Sequence, residues 1–146
     1  MKSAQENLLI VSKLYQSLLQ KRARNIKLTI AEWQLLQLVA DGNDTQQALA
    51  ISTNLDISTL SRQLSRLKTK GYLIKEIVRT EEKIYTRPAS HYRVSEEGEE
   101  ILKKMDFDFD QFNQQIFEHW SEEEVNLLTI LLNRLSKRIE QIENNK

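Results

Sequence analysis

The stretch from Ile57 to Leu73, ISTLSRQLSRLKTKGYL, limits the fold more than any other part of the sequence. Its leucines recur at steps of three and four residues, which predicts an amphipathic helix. Asp56 stands before it as a helix N-cap, and Gly71 ends it as a left-handed C-cap would. On a helical wheel of about 100° per residue, one side is fit for a protein core and gathers four apolar residues: Leu60, Leu64, Leu67 and Ile57.

The opposite side of the same helix carries groups that suit nucleic acids. Arg62 lies near the pole opposite the leucines, with hydroxyls and a second arginine around it. Arginine can pair with the O6 and N7 atoms of guanine, serine and threonine can reach several base edges, and all three can bind phosphate. The candidate DNA-binding residues on this helix are Ser58, Thr59, Ser61, Arg62 and Arg66.

The charges of the chain are unevenly placed, although basic and acidic residues balance at 21 each. Residues 58–94 hold nine basic and three acidic residues, a net charge of +6. Residues 95–146 hold six basic and thirteen acidic residues, a net charge of −7. A basic centre in a neutral protein is typical of a short surface that binds nucleic acid. Charge alone is equally compatible with a chance cluster of basic side chains on solvent-exposed faces.

The segments on either side of this helix favour the DNA-binding interpretation. The DTQQ sequence at Asp44–Gln47 signals the start of a short helix, and the TNL break after it gives helix–turn–helix spacing. Residues 73–79 and 91–94 predict a hairpin whose long loop carries Lys83 and Arg87. A basic hairpin there is a wing that could reach an adjacent minor groove. Together these features favour DNA binding over an ordinary amphipathic helix of a bundle.

Long helices are predicted around this segment, because the chain has three Gly and one Pro. A first helix over residues 5–25 carries an apolar stripe, and a capping box at Thr29–Glu32 opens a second. Ser95 caps a long helix to about residue 119, and a capping box at Ser121–Glu124 opens a last helix to about residue 143. The expected fold is mainly α with a small β-hairpin wing, a winged helix–turn–helix with long N- and C-terminal helices.

Three segments resemble the MarR family of winged helix–turn–helix transcriptional regulators: TIAEWQLLQLVA, TQQALAISTNLDISTLSRQLSRLKTKGYLIKE and YRVSEEGEEIL. The order of elements matches over nearly the whole chain. The resemblance implies a homodimer that pairs through its first and last helices, binds a pseudo-palindromic double-stranded DNA operator and usually represses transcription. It also allows for a small-molecule effector pocket between the DNA-reading lobe and the dimerisation helices.

The resemblance divides a single domain, residues 1–146, into a DNA-binding lobe at about 29–94 and dimerisation helices at about 5–25 and 95–143. Tyr15 and Trp33 are candidates for the effector pocket, although large aromatics at helical spacing more often belong to a core. The apolar stripes of the first and last helices supply the dimerisation candidates, which are Leu8, Val11, Leu128, Leu135 and Ile139.

Other classes of function are not expected. The chain has no Cys, which excludes disulfides and thiolate metal sites and suits a reducing cytoplasm. His91 and His119 lack metal-ligand spacing, and the DFDFD run at Asp106–Asp110 lacks a calcium-loop pattern. No phosphate-binding loop or catalytic triad spacing occurs, so we expect neither an enzyme nor a cofactor. The apolar run at Leu8–Val11 is far shorter than the roughly 20 residues that a membrane span needs.

The alternative that stays open is a helical interaction module, whose end helices bind a protein partner and which does not bind DNA. A salt-dependent gel shift with genomic DNA separates the two, since the module predicts no complex and the regulator predicts a discrete one.

Overall fold

The computed structural model describes residues 1–78 and 89–145, which form six helices and one two-stranded antiparallel sheet. The predicted fold class is confirmed. The chain divides into two compact units, Met1–Asp108 and Phe109–Lys146. In chain order the elements are α1 (Ala4–Asn25), α2 (Ile30–Ala40), α3 (Gln46–Thr53), α4 (Ile57–Thr69), β1 (Leu73–Val78), β2 (Ala89–Val94), α5 (Glu96–Ile116) and α6 (Glu122–Asn144).

The helices begin where the capping signals of the sequence predict. Thr29 and Ser121 each accept a hydrogen bond from the backbone N–H three residues later, and the Glu at that position accepts one in return. Both predicted capping boxes are therefore present. The DTQQ signal acts through its second residue, because the Thr45 hydroxyl accepts from the Ala48 N–H at 3.1 Å. Asp56 caps α4 as predicted, accepting from the Thr59 N–H at 2.7 Å.

Gly71 ends α4 in the left-handed conformation that was predicted, with φ of +83°. The Tyr72 N–H donates to the Leu67 carbonyl and the Gly71 N–H to the Lys68 carbonyl, both at 3.0 Å. This pair of bonds is a Schellman motif, which satisfies two carbonyls at the helix end and turns the chain into β1.

The hairpin that follows is longer in its second strand than the sequence indicates. Leu73 pairs with Val94 and Val78 with Ala89, so β2 begins at Ala89 and not at residue 91. Within the described residues, no helix combines the length and the apolarity that crossing a membrane requires.

The main core lies in the first unit, where α2, α3, α4 and the hairpin pack together. Leu60, Leu64 and Leu67 are buried there, as the helical wheel predicts. Ile57 is an exception and the prediction for it is wrong, because 72% of this residue is exposed. The wheel gives the direction of a side chain but not how far the core extends along the helix. Leu55, in the turn before α4, packs against the core. Ile57, the first residue of α4, does not.

An ion pair between a buried carboxylate and a partly exposed lysine holds the C-terminal end of α4 to the start of α2. Glu32 is 2% exposed, and its two carboxylate oxygens accept from the Lys70 Nζ at 3.0 and 2.8 Å. Lys70 also donates to the Lys27 carbonyl at 2.9 Å. Burial would by itself raise the pKa of Glu32, but the hydrogen bonds from Lys70 and Thr29 and the Lys70 charge bring it below its ordinary value. Glu32 is therefore ionised at neutral pH.

The start of α5 is fixed against the end of α4. The Ser95 hydroxyl donates to the Gly71 carbonyl at 2.5 Å and accepts from the Gly98 N–H at 3.0 Å. A Cβ on Gly98 would lie 2.3 Å from the Tyr72 carbonyl oxygen, so only glycine fits at this approach. The α5 helix ends at Ile116, three residues before the predicted end, and the Trp120 N–H then closes a turn on the Phe117 carbonyl.

Candidate nucleic-acid interface

The turn between α3 and α4 is fixed by local hydrogen bonds. Asn54 takes a left-handed conformation with φ of +57°, which asparagine tolerates better than most residues. The Thr53 hydroxyl donates to the Leu49 carbonyl at 2.7 Å and accepts from the Leu55 N–H at 3.3 Å. The two helices therefore form the predicted helix–turn–helix, with α4 as the second helix.

The exposed face of α4 carries the predicted hydroxyls and arginines. Ser58, Ser61, Arg62 and Arg66 are exposed and Thr59 is half-buried, while the leucines of the opposite face are buried. Among the described residues, neither arginine has an ion-pair partner. The two guanidinium groups can therefore bind phosphate or base edges without first breaking a salt bridge in that part of the chain. Their assignment to DNA binding stays a prediction.

Asp56 is hydrogen-bonded by two of the predicted DNA-binding residues. Its carboxylate accepts from the Ser58 hydroxyl at 3.2 Å and from the Thr59 backbone N–H at 2.7 Å. The hydrogen bonds from the Thr59 side chain, the Thr59 backbone and Ser58 lower the pKa of Asp56. Because the Ser58 hydroxyl donates its proton to Asp56, its oxygen can act as an acceptor towards other groups.

Ser61 has the opposite hydrogen-bond polarity. The Gln46 side chain, in the first turn of α3, donates from Nε2 to the Ser61 Oγ at 2.7 Å. Within the described part of the chain, no acceptor takes the Ser61 hydroxyl proton. Ser61 can therefore donate to a partner outside the protein.

The sequence alone did not identify Gln46 as a neighbour of Ser61. A signal for it exists, because it is the first helical residue after the Thr45 cap, at the start of the helix that precedes α4. In a helix–turn–helix the first turn of the leading helix lies beside the second helix, so a long polar side chain there can reach it.

The hairpin is tied to the start of α3. The Tyr92 N–H donates to the Asp44 carbonyl at 2.7 Å, and the His91 Nδ1 lies 3.3 Å from the Asp44 carboxylate. Arg93 and Glu76 form an ion pair across the two strands at 2.6 Å. The hairpin is thereby positioned beside the helix–turn–helix, as a wing is. The wing residues Lys83 and Arg87 lie outside the described residues.

Metal-ligand geometry is not found in the described ranges, 1–78 and 89–145, where no group of three or more His, Asp or Glu side chains could hold an ion. The His91 ring contacts the Asp44 carboxylate, with 3.3 Å between Nδ1 and Oδ2. In the DFDFD run, Asp108 forms an ion pair with Arg22 of α1 at 2.5 Å.

The predicted dimerisation residues lie on two separate apolar stripes. On α1, Leu8 is 36% and Val11 59% exposed. On α6, Leu135 and Ile139 are 38% and 47% exposed and Leu128 is half-buried. Every described residue of α6 except Val125 and Leu128 is exposed, so this helix shows most of its apolar surface to solvent. The assignment of these residues to dimerisation stays a prediction.

One of the two predicted pocket residues lines a cavity in the first unit. This cavity has a volume of about 490 Å³ and lies between α2 and the helix–turn–helix. Trp33 belongs to its wall, together with Leu38, Leu55 and Gln63, whereas Tyr15 is not among its lining residues. Tyr15 stands on α1, where burial raises the pKa of its hydroxyl. An effector role for either residue stays a prediction.

A helix–turn–helix followed by a two-stranded wing and flanked by long helices defines the winged helix–turn–helix class of fold. No family model matches this sequence. Among solved structures, apo wild-type MarR from E. coli aligns with a TM-score of 0.71 at 18% identity, over 92% of this chain and 98% of that one. MepR, a transcription regulator of the S. aureus multidrug efflux pump MepA, aligns with a TM-score of 0.77 at 14% identity, over 94% and 99% of the two chains.

A mutant MarR from E. coli complexed with operator DNA is also similar, with a TM-score of 0.70 at 18% identity over 89% of this chain and 91% of that one. These likenesses extend over nearly the whole of each chain. The resemblance to the MarR family that the sequence motifs indicated is therefore confirmed at the level of the fold.

Proposed function

We propose that this protein is a sequence-specific double-stranded DNA-binding transcriptional regulator. The observation that carries the proposal is the face of α4, where exposed arginines and hydroxyls stand opposite a fully buried row of leucines. A helix with this division can enter a major groove without disturbing the core that holds it. The operator complex of a mutant MarR with the same fold supports this assignment.

The proposal includes a homodimer and a pseudo-palindromic operator. The exposed apolar stripes of α1 and α6 would be covered by the same helices of a second copy, which gives two-fold symmetry. Two copies of α4 can then contact half-sites about one helical turn apart, roughly 34–36 Å along the DNA. Action on chromosomal DNA would place the protein in the cytoplasm, and we assign it no enzymatic activity.

We further propose that the dimer represses transcription by occupying its operator and that a small-molecule effector releases it. The similarity in fold to MepR, a transcription regulator of an efflux pump, supports a regulatory role. A reporter gene placed behind the operator tests the direction, since repression predicts higher expression when this protein is deleted. Higher expression in the presence of the protein would contradict it.

The DNA-binding assignment is tested by selecting fragments from a genomic library and measuring their gel shift at several salt concentrations. We expect a discrete complex whose log affinity falls linearly with log salt. Changing Arg62 and Arg66 to Ala should weaken binding about 10- to 100-fold for each bidentate base pairing that is removed. The double change of Lys103 and Lys104 to Ala is the matched control, because it removes the same charge from exposed positions of α5.

The interaction module makes the opposite prediction for this experiment. It retains no DNA at physiological salt, and its α1 and α6 stripes bind a protein of another sequence. A wild-type chain that is dimeric but selects no duplex would contradict the DNA-binding proposal.

A further inference from the structure

We propose that Ile57 and Ser61 together recognise a thymine in each half-site and that Gln46 positions the Ser61 hydroxyl for this contact. The inference rests on the proposed function, since it requires α4 to lie in the major groove. It adds a base identity and two residues, Ile57 and Gln46, that the DNA-binding face defined above does not include.

The first observation is the exposure of Ile57. Ile57 is 72% exposed in the first turn of α4, on the edge of the helix between the leucine face and Ser61, where it has no part in the core. The N-terminal turns of a recognition helix are the part that contacts base edges. In the major groove, the C5-methyl of thymine is the group that an apolar side chain can contact.

The second observation is the polarity of Ser61. Because Gln46 donates to its oxygen at 2.7 Å, the Ser61 hydroxyl keeps its own proton available to donate to a partner outside the protein. Ser58 differs, since its hydroxyl donates to the Asp56 carboxylate at 3.2 Å and its oxygen remains as an acceptor. A donor at Ser61 matches acceptor atoms of the groove, such as the O4 of thymine, and not the N4 amino group of cytosine.

The third observation is the spacing of the two residues. Ile57 and Ser61 are four positions apart on α4, so their side chains are neighbours on one edge of the helix, with Cβ atoms about 5–6 Å apart. Thymine presents O4 and the C5-methyl side by side. A donor next to an apolar side chain is therefore complementary to thymine in both groups, whereas cytosine lacks the acceptor and the methyl, and purines lack the methyl.

The test uses the duplex selected by the wild-type protein and replaces each thymine in turn with uracil, which removes only the methyl group. At the thymine that Ile57 contacts, we expect the replacement to weaken wild-type binding about fourfold per half-site, the loss for one buried methyl. Ile57→Ala should bind the thymine and uracil duplexes equally. If Ile57→Ala keeps the wild-type preference for thymine at every position, the methyl contact is refuted.

Gln46→Glu tests the positioning role. A carboxylate at this place accepts the Ser61 proton and turns the acceptor side of the hydroxyl outwards, so the preferred base should change from thymine towards cytosine. Gln47→Glu is the matched control, because it adds the same charge to α3 at an exposed neighbour. It should weaken binding without a change of base. Equal weakening of all sequences by Gln46→Glu and Ser61→Ala would mean a phosphate contact and would overturn the inference.

The outcomes separate this inference from the function on which it rests. A wild-type protein that selects no duplex overturns both. A wild-type protein that selects a motif, with base preferences untouched in Ile57→Ala and Gln46→Glu, overturns the inference alone.

Discussion

Replacing Lys70 with Met should destabilise the fold without touching the DNA-binding face. The Lys70 ammonium is the hydrogen-bond donor and counter-charge of the Glu32 carboxylate, which is 2% exposed. Methionine keeps the unbranched chain of lysine, one heavy atom shorter, and removes the charge. The carboxylate then retains the Thr29 backbone N–H, at 3.1 Å, but loses the two hydrogen bonds from Lys70.

The expected loss of stability follows from how far each partner of the ion pair is buried. Removing one partner of a fully buried ion pair costs about 3–5 kcal/mol, because the other charge stays buried without compensation. The Lys70 side chain is 36% exposed, so water can replace part of the missing interaction. We therefore expect a loss of about 2–3 kcal/mol in the free energy of unfolding, below the fully buried range. For a chain of this size that corresponds to a decrease in Tm of roughly 5–10 °C.

The pH dependence provides a second measurement. The folded pKa of Glu32 lies below its ordinary value, so the unfolded chain binds the proton more readily. The ionised Glu32 therefore stabilises the folded state at pH values above its unfolded pKa of about 4.3. This stabilisation is lost as the pH falls through the folded pKa of Glu32. In Lys70→Met this part of the acid destabilisation should be smaller, since burial then opposes ionisation with less compensation.

Urea unfolding at one protein concentration measures the difference, which matters because a dimer's stability depends on concentration. Lys68→Met is the control, as it removes a charge from the same helix end, and Lys68 has no ion-pair partner among the described residues. Combining Glu32→Gln with Lys70→Met should restore part of the loss, because the buried charge is gone. If Lys70→Met costs no more than Lys68→Met, the reasoning is refuted.

Three further predictions concern DNA binding and assembly. Changing Leu135 and Ile139 to Glu should give monomers that no longer bind operator, and a double variant that light scattering shows as dimeric means that the interface lies elsewhere. Arg62→Ala should cost about 1–3 kcal/mol per half-site and relax preference at particular base pairs, whereas Arg66→Ala should weaken all sequences alike. Unchanged operator preference in Arg62→Ala would show that it does not read bases. The sequence places no acidic residue beside Arg87, so its contribution should come from charge: Arg87→Lys should be nearly harmless, and Arg87→Ala should lower the salt slope by about 0.9 for each phosphate that is no longer neutralised. Equal damage by both changes would indicate a shaped contact.

The elements of the fold could be predicted because their signals are local. A cap such as Thr29 or Ser121 is hydrogen-bonded to the residue three positions later. The apolar face of α4 is defined by the spacing of its own leucines, independently of other segments. The start of β2 was missed for the complementary reason. Ala89 and Ser90 have weak intrinsic strand preference, and it is pairing with Val78 and Ile77 that extends the strand.

The exposed polar positions of α4 could be predicted from the sequence, but the hydrogen-bonding roles of their hydroxyls could not. Helical periodicity places Ser61 outside the leucine face of α4, yet whether its hydroxyl donates or accepts depends on Gln46, fifteen positions away in the sequence. The exposure of Ile57 is likewise a tertiary property, since it depends on where the core ends along the helix axis. Glu32 and its ion-pair partner Lys70 are 38 positions apart in the sequence. The capping box already explains a glutamate at position 32, so the sequence did not indicate the ion pair.

The two ends of α4 are held in different ways, and this separates stability from recognition. Its C-terminal end is fixed to other elements, through Lys70 to α2 and through the Gly71 carbonyl to Ser95. Among the described residues, its N-terminal end is hydrogen-bonded to its own cap, Asp56, and through an exposed contact between Gln46 and Ser61. Surface hydrogen bonds of this kind contribute only about 0.5–1.5 kcal/mol each, so substitutions at the N-terminal end should leave the core folded. If α4 reads bases as proposed, changes in its first two turns should therefore alter the preferred operator without unfolding the protein, as long as the contacts at its C-terminal end are kept.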